Sequence, residues 1–457
     1  MASEKKLANQ RTAFVPPWLF SGLFGAFLGL ALLKFGNPPI MERFIEPPTN
    51  LTEWIIMAWP VEVGYWLLGA VAVVGLCGVR WPTGVPKWLL ALPLVWLAWQ
   101  FISATQTVDA GLTRATLKHF VACVVCFYLG VFCLSRDKSA GAMWGAIAFA
   151  LGIVLAVGFE QHFGGLEETR RYFYAYEYPK WQTLPPEQLN DYLKKIASDR
   201  IFSTLFYPNA LAGVILLLLP PTVVTIWQFC ERLTTAARGL LVGLFAIASL
   251  ACLYWSGSKG GWLLALLLVL VALLHLPWSK RAKTVFISAV LVVGVAGFFL
   301  KYAGFFQRGA TSVSARFDYW RAAVQTMAAK PVFGTGPGTF SIAYQAVKRP
   351  ESEMSRLTHN DYLQQASDSG VVAALSYLAL AVGILMCGYA KPATPDLRPR
   401  FSVWLGLLGY ALQGLMEFGL YIPALAWCAF GLAGWLAGTC SKRFDKSSAS
   451  ILVSAER

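Results

Sequence analysis

The sequence predicts an all-α integral membrane protein of about twelve transmembrane helices, with two long polar loops that carry short amphipathic helices. Three observations predict it. Hydrophobic residues make up 57% of the 457 positions and charged residues 14%, with a mean hydropathy of +0.55. Apolar windows of about 18 to 22 residues, enough to cross about 30 Å of hydrocarbon as helix, recur along nearly the whole chain. Lysine and arginine gather on alternate connections between those windows.

The first window, 17–35, follows no cleavable leader and is expected to stay as an anchor. Windows at 61–79, 87–104, 115–134 and 140–159 complete an N-terminal group, 1–159. A loop at 160–206 leads to windows 207–229, 239–255, 261–277 and 284–302, a second group spanning 207–302. A second loop, 303–370, precedes the C-terminal unit 371–457 with its windows 371–390, 401–419 and 421–440. No internal repeat or low-complexity run interrupts this order.

Orientation follows from the basic residues. With the N-terminus inside, one face collects Lys5, Lys6, Arg11, Arg80, Lys87, Arg136, Lys138, Arg232, Arg238, Lys280, Arg281, Lys283, Lys391, Arg398, Arg400, Lys442 and Arg443. The short connections of the other face hold chiefly Arg43, Arg114 and Lys259. Both termini are therefore expected in the cytoplasm, with the long loops outside. Most of the formal net charge of +14 lies on the inner face, where anionic lipid is the ordinary partner, so nucleic acid is not expected. The nine cysteines sit mainly in apolar windows, without metal-ligand spacing, and read as small packing residues.

Loops as long as 160–206 and 303–370 are usually functional or disordered, and the content of these two argues for function. The first opens with an aromatic and charged segment, 170–181. It continues from Pro185-Pro186-Glu187 into a helix with Leu189, Tyr192, Leu193 and Ile196 on one face, expected to lie along the membrane surface. It ends in Arg200-x-x-Ser-Thr-x-x-x-Pro-Asn209; from position alone, Arg200 suits headgroup contact as well as a ligand role. In the second loop, Ser314 is the expected cap of a helix running to about Ala329. Its apolar side would carry Phe317, Trp320, Val324 and Met327, with Arg316, Asp318, Arg321 and Gln325 elsewhere; solvated surface charges are the plain reading of those arginines. Lys330-Pro331 stops the helix, and Gly334-Thr-Gly-Pro-Gly338 forms a tight turn whose glycines would let backbone approach a phosphate, though no Gly-Lys-Ser/Thr follows.

The feature richest in chemistry is Thr358-His359-Asn360-Asp361-Tyr362-Leu363. The Thr-x-x-Asp spacing resembles a capping box, which would put His359 in a first helical turn, where the helix dipole keeps an imidazole neutral and available as a base. Ser256-Gly-Ser-Lys259-Gly-Gly puts one lysine in a short outer connection, as a snorkelling side chain or a phosphate ligand. Glu417, near the outer end of the eleventh window, needs a partner or a wet cavity, since a carboxylate is costly in hydrocarbon.

Together these motifs resemble the O-antigen ligase and Wzy-type polymerase superfamily of membrane glycosyltransferases. The resemblance rests on the Arg200 to Asn209 stretch, on Ser-Gly-Ser-Lys-Gly-Gly, and on the order from Arg316 to Gly370: an Arg/Trp-bearing helix, Pro331, the glycine turn, then His359-Asn360-x-Tyr362-Leu363 before a glycine and a window. It implies a GT-C-like layout and transfer of a glycan from undecaprenyl pyrophosphate to an acceptor hydroxyl, on lipid A-core, protein or glycan, at the periplasmic face of a bacterial inner membrane. It implies an inverting reaction without a cofactor or metal, and no Asp-x-Asp motif occurs in the chain. By that resemblance His359 is catalytic and Arg200 and Lys259 bind pyrophosphate; Arg316, Arg321, Asn360, Tyr362 and Glu417 are further candidate substrate contacts, Glu417 as an acceptor contact or as a residue behind the site. Lys259 departs from the family, which commonly has arginine there; lysine keeps the charge and loses the bidentate fork. Ligase and polymerase both stay open, with the single histidine motif favouring the ligase. A lipid-linked glycan transporter is the reading from another class, and no internal symmetry supports it.

Overall fold

Proline at the first helical position, where its missing N–H costs nothing, starts three of the apolar helices: α1 (Pro17–Lys34), α6 (Pro208–Phe229) and α14 (Pro423–Gly438). Between α1 and α6 lie α2 (Val61–Leu76), α3 (Lys87–Ala104), α4 (Ala110–Phe132) and α5 (Gly141–Glu160). After α6 come α7 (Thr235–Trp255), α8 (Lys259–His275), α9 (Lys280–Gln307), α10 (Thr311–Ala329), α11 (Phe340–Val347), α12 (Asp361–Gly388) and α13 (Arg398–Gln413). This computed structural model describes residues 16–44, 47–79, 81, 84–137, 140–181, 189, 193, 196–307, 311–350, 352–390 and 398–439, and no strand occurs among them.

All twelve apolar windows fold as helices, and the multi-pass membrane class stands. Among the described residues eight of these helices are, by length and composition, long and apolar enough to span a membrane. The remaining windows fold as α2, α13 and α14, of 16 residues each, and α8, of 17. At 1.5 Å per residue these reach about 25 Å, short of a hydrocarbon core of about 30 Å. The window at 401–419 breaks at Gln413 because Gly414 and the turn after it carry Glu417.

The bundle is organised around α14, which is buried on nearly all sides. It packs on α4, while α1 packs on α5, α6 on α13 and α3 on α12. Lipid is as apolar as leucine, so these contacts depend on close packing. A Cβ on Gly434 would sit 1.9 Å from the Phe127 carbonyl oxygen, so glycine sets the α4–α14 distance. Large apolar side chains such as Trp66, Phe149 and Leu300 point outward instead.

A buried polar ladder stiffens the end of the bundle that carries the motifs. Trp96 Nε1 and Gln100 Nε2 both donate to Gln365 Oε1, at 2.8 and 2.7 Å, and Gln365 Nε2 donates to the Tyr421 hydroxyl at 2.8 Å. It joins α3, the first turns of α12 and the turn before α14. At Gly370 (φ 79°, ψ −179°) α12 breaks into a polar first part and an apolar second part.

Two local expectations for the second loop are corrected. Ser314 is not a cap: α10 is already helical at Thr311, and no Gly or Pro between them stops it. Its buried side is Tyr319, Ala322, Ala323 and Thr326, whereas Phe317 and Val324 are exposed. Small residues allow close approach to α12, and the bulky stripe is left outside. Most of the helix expected after Pro185 lies outside the described residues, as do Lys5, Lys6, Arg11, Arg80, Lys138, Lys391, Lys442 and Arg443. Cys77, Cys123, Cys126, Cys230, Cys252 and Cys428 are free thiols.

Candidate functional site

Four connections and one helix converge at one end of the bundle: the segment before α6, the turn between α7 and α8, the segment before α12, the turn after α13, and α10. Each contributes one polar side chain.

Arg200 stands on the first of these. Its Nε donates to the Ser256 carbonyl oxygen at 2.7 Å and its Nη2 to Asn209 Oδ1 at 2.7 Å. Burial, opposed by the charge of Glu417, holds its pKa below the usual 12.5. Asn209, in the first turn of α6, passes the link on by donating from Nδ2 to Glu417 Oε1 at 2.7 Å.

Glu417 is the hub. It lies beyond the end of α13, is 7% exposed, and also accepts from Arg316 Nη2 of α10 and from His359 Nδ1, the latter at 3.1 Å. Burial pushes its carboxyl up, but the His359 hydrogen bond and the charges of His359, Arg316 and Arg200 outweigh that and hold it below the ordinary carboxylate value. The carboxylate required partners, and it has three.

His359 is not in a first helical turn, which corrects the capping-box expectation. Asn360 is the cap of α12, its Oδ1 accepting from the N–H groups of Tyr362 and Leu363 at 3.0 Å each. Asparagine is at least as good a cap as threonine, and Thr358 Oγ1 turns instead to the Asn360 carbonyl oxygen. His359 therefore precedes the helix with φ 52°, a left-handed conformation that costs a non-glycine residue about 1–3 kcal/mol. Its ring stacks on Tyr319, with centroids 5.8 Å apart, and meets the edge of Phe418 at 4.8 Å. In the tautomer whose Nδ1–H donates to Glu417, the Nε2 lone pair is left uncommitted. The side chain is 27% exposed, so a reactant can reach it.

Lys259 is the first residue of α8, after the Ser258 cap, and its Nζ lies 5.2 Å from the centre of the Tyr302 ring. The charges of Arg200 and Arg316 act on it. Arg200 and Arg316 thus flank the Glu417 carboxylate and also act on Lys259, and Arg316 Nε is buried without a hydrogen-bond partner. The balance is positive and suits an anionic ligand.

Other candidates lie elsewhere or are committed to the fold. Arg321 is on the side of Tyr344. Asn360 Nδ2 donates to the Leu415 carbonyl oxygen at 2.9 Å, and the Tyr362 hydroxyl to that of Ala411 at 2.9 Å, tying α12 to α13. The glycine turn does not offer its amides to a phosphate: Gly336 and Gly338 donate to the Asp368 carbonyl oxygen and side chain, at 2.7 and 2.9 Å. Its glycines are needed because φ is positive at all three and a Cβ on Gly338 would meet Thr116 Oγ1 at 2.1 Å. The sequence reading passed over Asn209 as a site residue, although it closes the Arg200 motif.

Residues 244–378 match the family model described as O-antigen ligase. The match runs from α7 into α12 and includes Lys259, Arg316, Arg321, His359, Asn360 and Tyr362, while Arg200, Asn209 and Glu417 lie outside it. It supports the O-antigen ligase superfamily read from the motifs. No curated protein matches the chain.

Proposed function

We propose, from the premise that residues 244–378 form an O-antigen ligase family domain, that the protein is a membrane glycosyltransferase that moves a glycan from undecaprenyl pyrophosphate to an acceptor hydroxyl. The supporting observation is the continuous relay Arg200–Asn209–Glu417–His359, with Arg316 on the same carboxylate.

In this reading His359 Nε2 takes the proton of the acceptor hydroxyl as its oxygen attacks the anomeric carbon. The bond from that carbon to the pyrophosphate oxygen breaks, and the configuration inverts. Glu417 holds the histidine tautomer and stabilises the imidazolium, as the carboxylate does in serine hydrolase triads. Arg200, Arg316 and Lys259 face the negative charge that grows on the departing pyrophosphate. Pyrophosphate leaves without a general acid, so one base and a set of cations suffice. The reading places the site at the periplasmic face of the inner membrane, the donor and a lipid A-core, protein or glycan acceptor being its partners. Asn360 and Tyr362 then position His359.

The test is transfer in nanodiscs from a glycan-bearing undecaprenyl pyrophosphate, in chelator, by wild type and His359→Ala. A single-step product lost in the variant supports the ligase; a ladder of products makes the protein a polymerase. Undiminished transfer by His359→Ala ends the assignment of the base, and donor binding with no transfer to any acceptor moves the protein to the transporter class.

A further inference from the structure

On the same end of the bundle a cavity opens between the end of α1 and the start of α2. Its volume is about 460 Å³, and Lys34, Phe35, Asn37, Glu42, Trp59 and Glu62 are among its lining residues. Clefts for small ligands run from about 300 to 1,000 Å³.

The chemistry of the lining is specific. Lys34 Nζ donates to the carbonyl oxygens of Trp54, Ile55 and Met57, so all three of its protons are used and its charge is not offered to a ligand. The Trp59 indole N–H is held by the Trp54 carbonyl oxygen at 2.6 Å, and its ring packs edge-on with Phe35, which fixes an aromatic wall. Glu42 accepts from the Val61 N–H through one oxygen. Its carboxyl is pushed up to about 7, first by burial and then by neighbouring Glu62. Asn37 Nδ2 is buried without a hydrogen-bond partner. A buried amide donor without a partner costs stability unless something uses it.

Carboxyl groups that accept from hydroxyls, an unused amide donor and a fixed aromatic face together describe the surface of a sugar ring, polar at its rim and C–H-rich on its faces. Among its described residues the lining has acidic groups and no uncommitted cation, so it offers a pyrophosphate no charge partner. The cavity is also coupled to the candidate site. The Ala424 N–H, in the first turn of α14, donates to the Phe35 carbonyl oxygen at 2.9 Å, so the connection 414–422, which carries Glu417, leads directly to the helix end that holds the cavity wall. Gly36 packs against Thr204 and Leu205 of the segment that begins with Arg200, and Ile40 lies beside Gly338.

We propose that this cavity is a saccharide subsite for the acceptor, separate from the cationic cluster that takes the donor. The inference rests on the transferase reading, and the experiment separates the two. Glu42→Gln, which keeps an acceptor for the Val61 N–H, and Asn37→Leu are made in the full-length protein in nanodiscs. The acceptor KM is measured with a core oligosaccharide released from lipopolysaccharide by mild acid, alongside the donor KM and kcat. The acceptor KM rises about tenfold in each variant, the loss expected for one hydrogen bond to a buried partner, while donor KM and kcat hold. An unchanged acceptor KM, or a donor KM that moves instead, overturns the subsite. Should wild type fail to transfer at all, the transferase reading falls alone, and calorimetric titration with the same oligosaccharide still decides the cavity. Binding that both variants weaken retains a saccharide site; no binding, or equal binding by all three proteins, removes it.

Discussion

At the scale of single residues, Glu417 joins stability and chemistry. Its folded pKa is depressed, so its contribution to stability is fully present above its ordinary value of 4.5 and is lost as pH falls through the folded value. Thermal melting of the purified protein should therefore show no Glu417-dependent change from pH 8 to 5 and a fall below about pH 4.5, and Glu417→Gln should flatten that acid limb. The same variant keeps the shape of the side chain but removes the charge that orients His359, for which a loss of up to about 10⁴-fold in kcat is expected by analogy with the triad carboxylate. A Glu417→Gln enzyme with unaltered kcat would make the contact structural only. The residues of this hub were individually legible in the sequence: a carboxylate in an apolar stretch, an arginine before a window, a histidine in a polar loop. Their pairing was not, because Glu417 lies 58 positions from His359 and 101 from Arg316.

At the scale of elements, the start of α12 fixes the histidine. Asn360 satisfies two amides of the helix end and, through Nδ2, holds the Leu415 carbonyl oxygen of the turn that carries Glu417. Replacing it by alanine should destabilise the protein by about 1–2 kcal/mol, the usual loss of a cap. Activity should fall by more than that stability change predicts, since the distance from His359 to Glu417 is released as well; kcat measured well below the melting temperature checks it. Helix positions were readable because long apolar windows admit one structure in lipid. Helix ends were not, because Thr358 and Asn360 both have capping side chains and sequence alone does not say which one the backbone uses. Likewise the bulky stripe of α10 resembled a buried face, whereas in a membrane protein the small residues Ala322 and Ala323 mark the contact.

At the scale of the whole molecule, the position of the site relative to the membrane follows from which helix ends it uses. It is built from the start of α6, the end of α7, the start of α8, the start of α12 and the end of α13. The opposite ends of those helices and of α9 carry Arg232, Arg238, Lys280, Arg281, Lys283, Arg398 and Arg400. Basic residues in short connections tend to stay in the cytoplasm, so this separation supports the proposal that the site faces the far side of the membrane, where a lipid-linked donor would be consumed in the proposed reaction. The exposed Cys77 is first replaced by serine to lower the background. Met354, an exposed residue beside the His359 segment, and Ser279, an exposed residue ahead of α9, are then each changed to cysteine in separate proteins. A thiol reagent that does not cross membranes should label Met354→Cys in intact spheroplasts and reach Ser279→Cys only after permeabilisation. The reverse pattern would place His359 and its cations in the cytoplasm, and the periplasmic transfer would fall even with the contacts among Arg200, Glu417 and His359 intact.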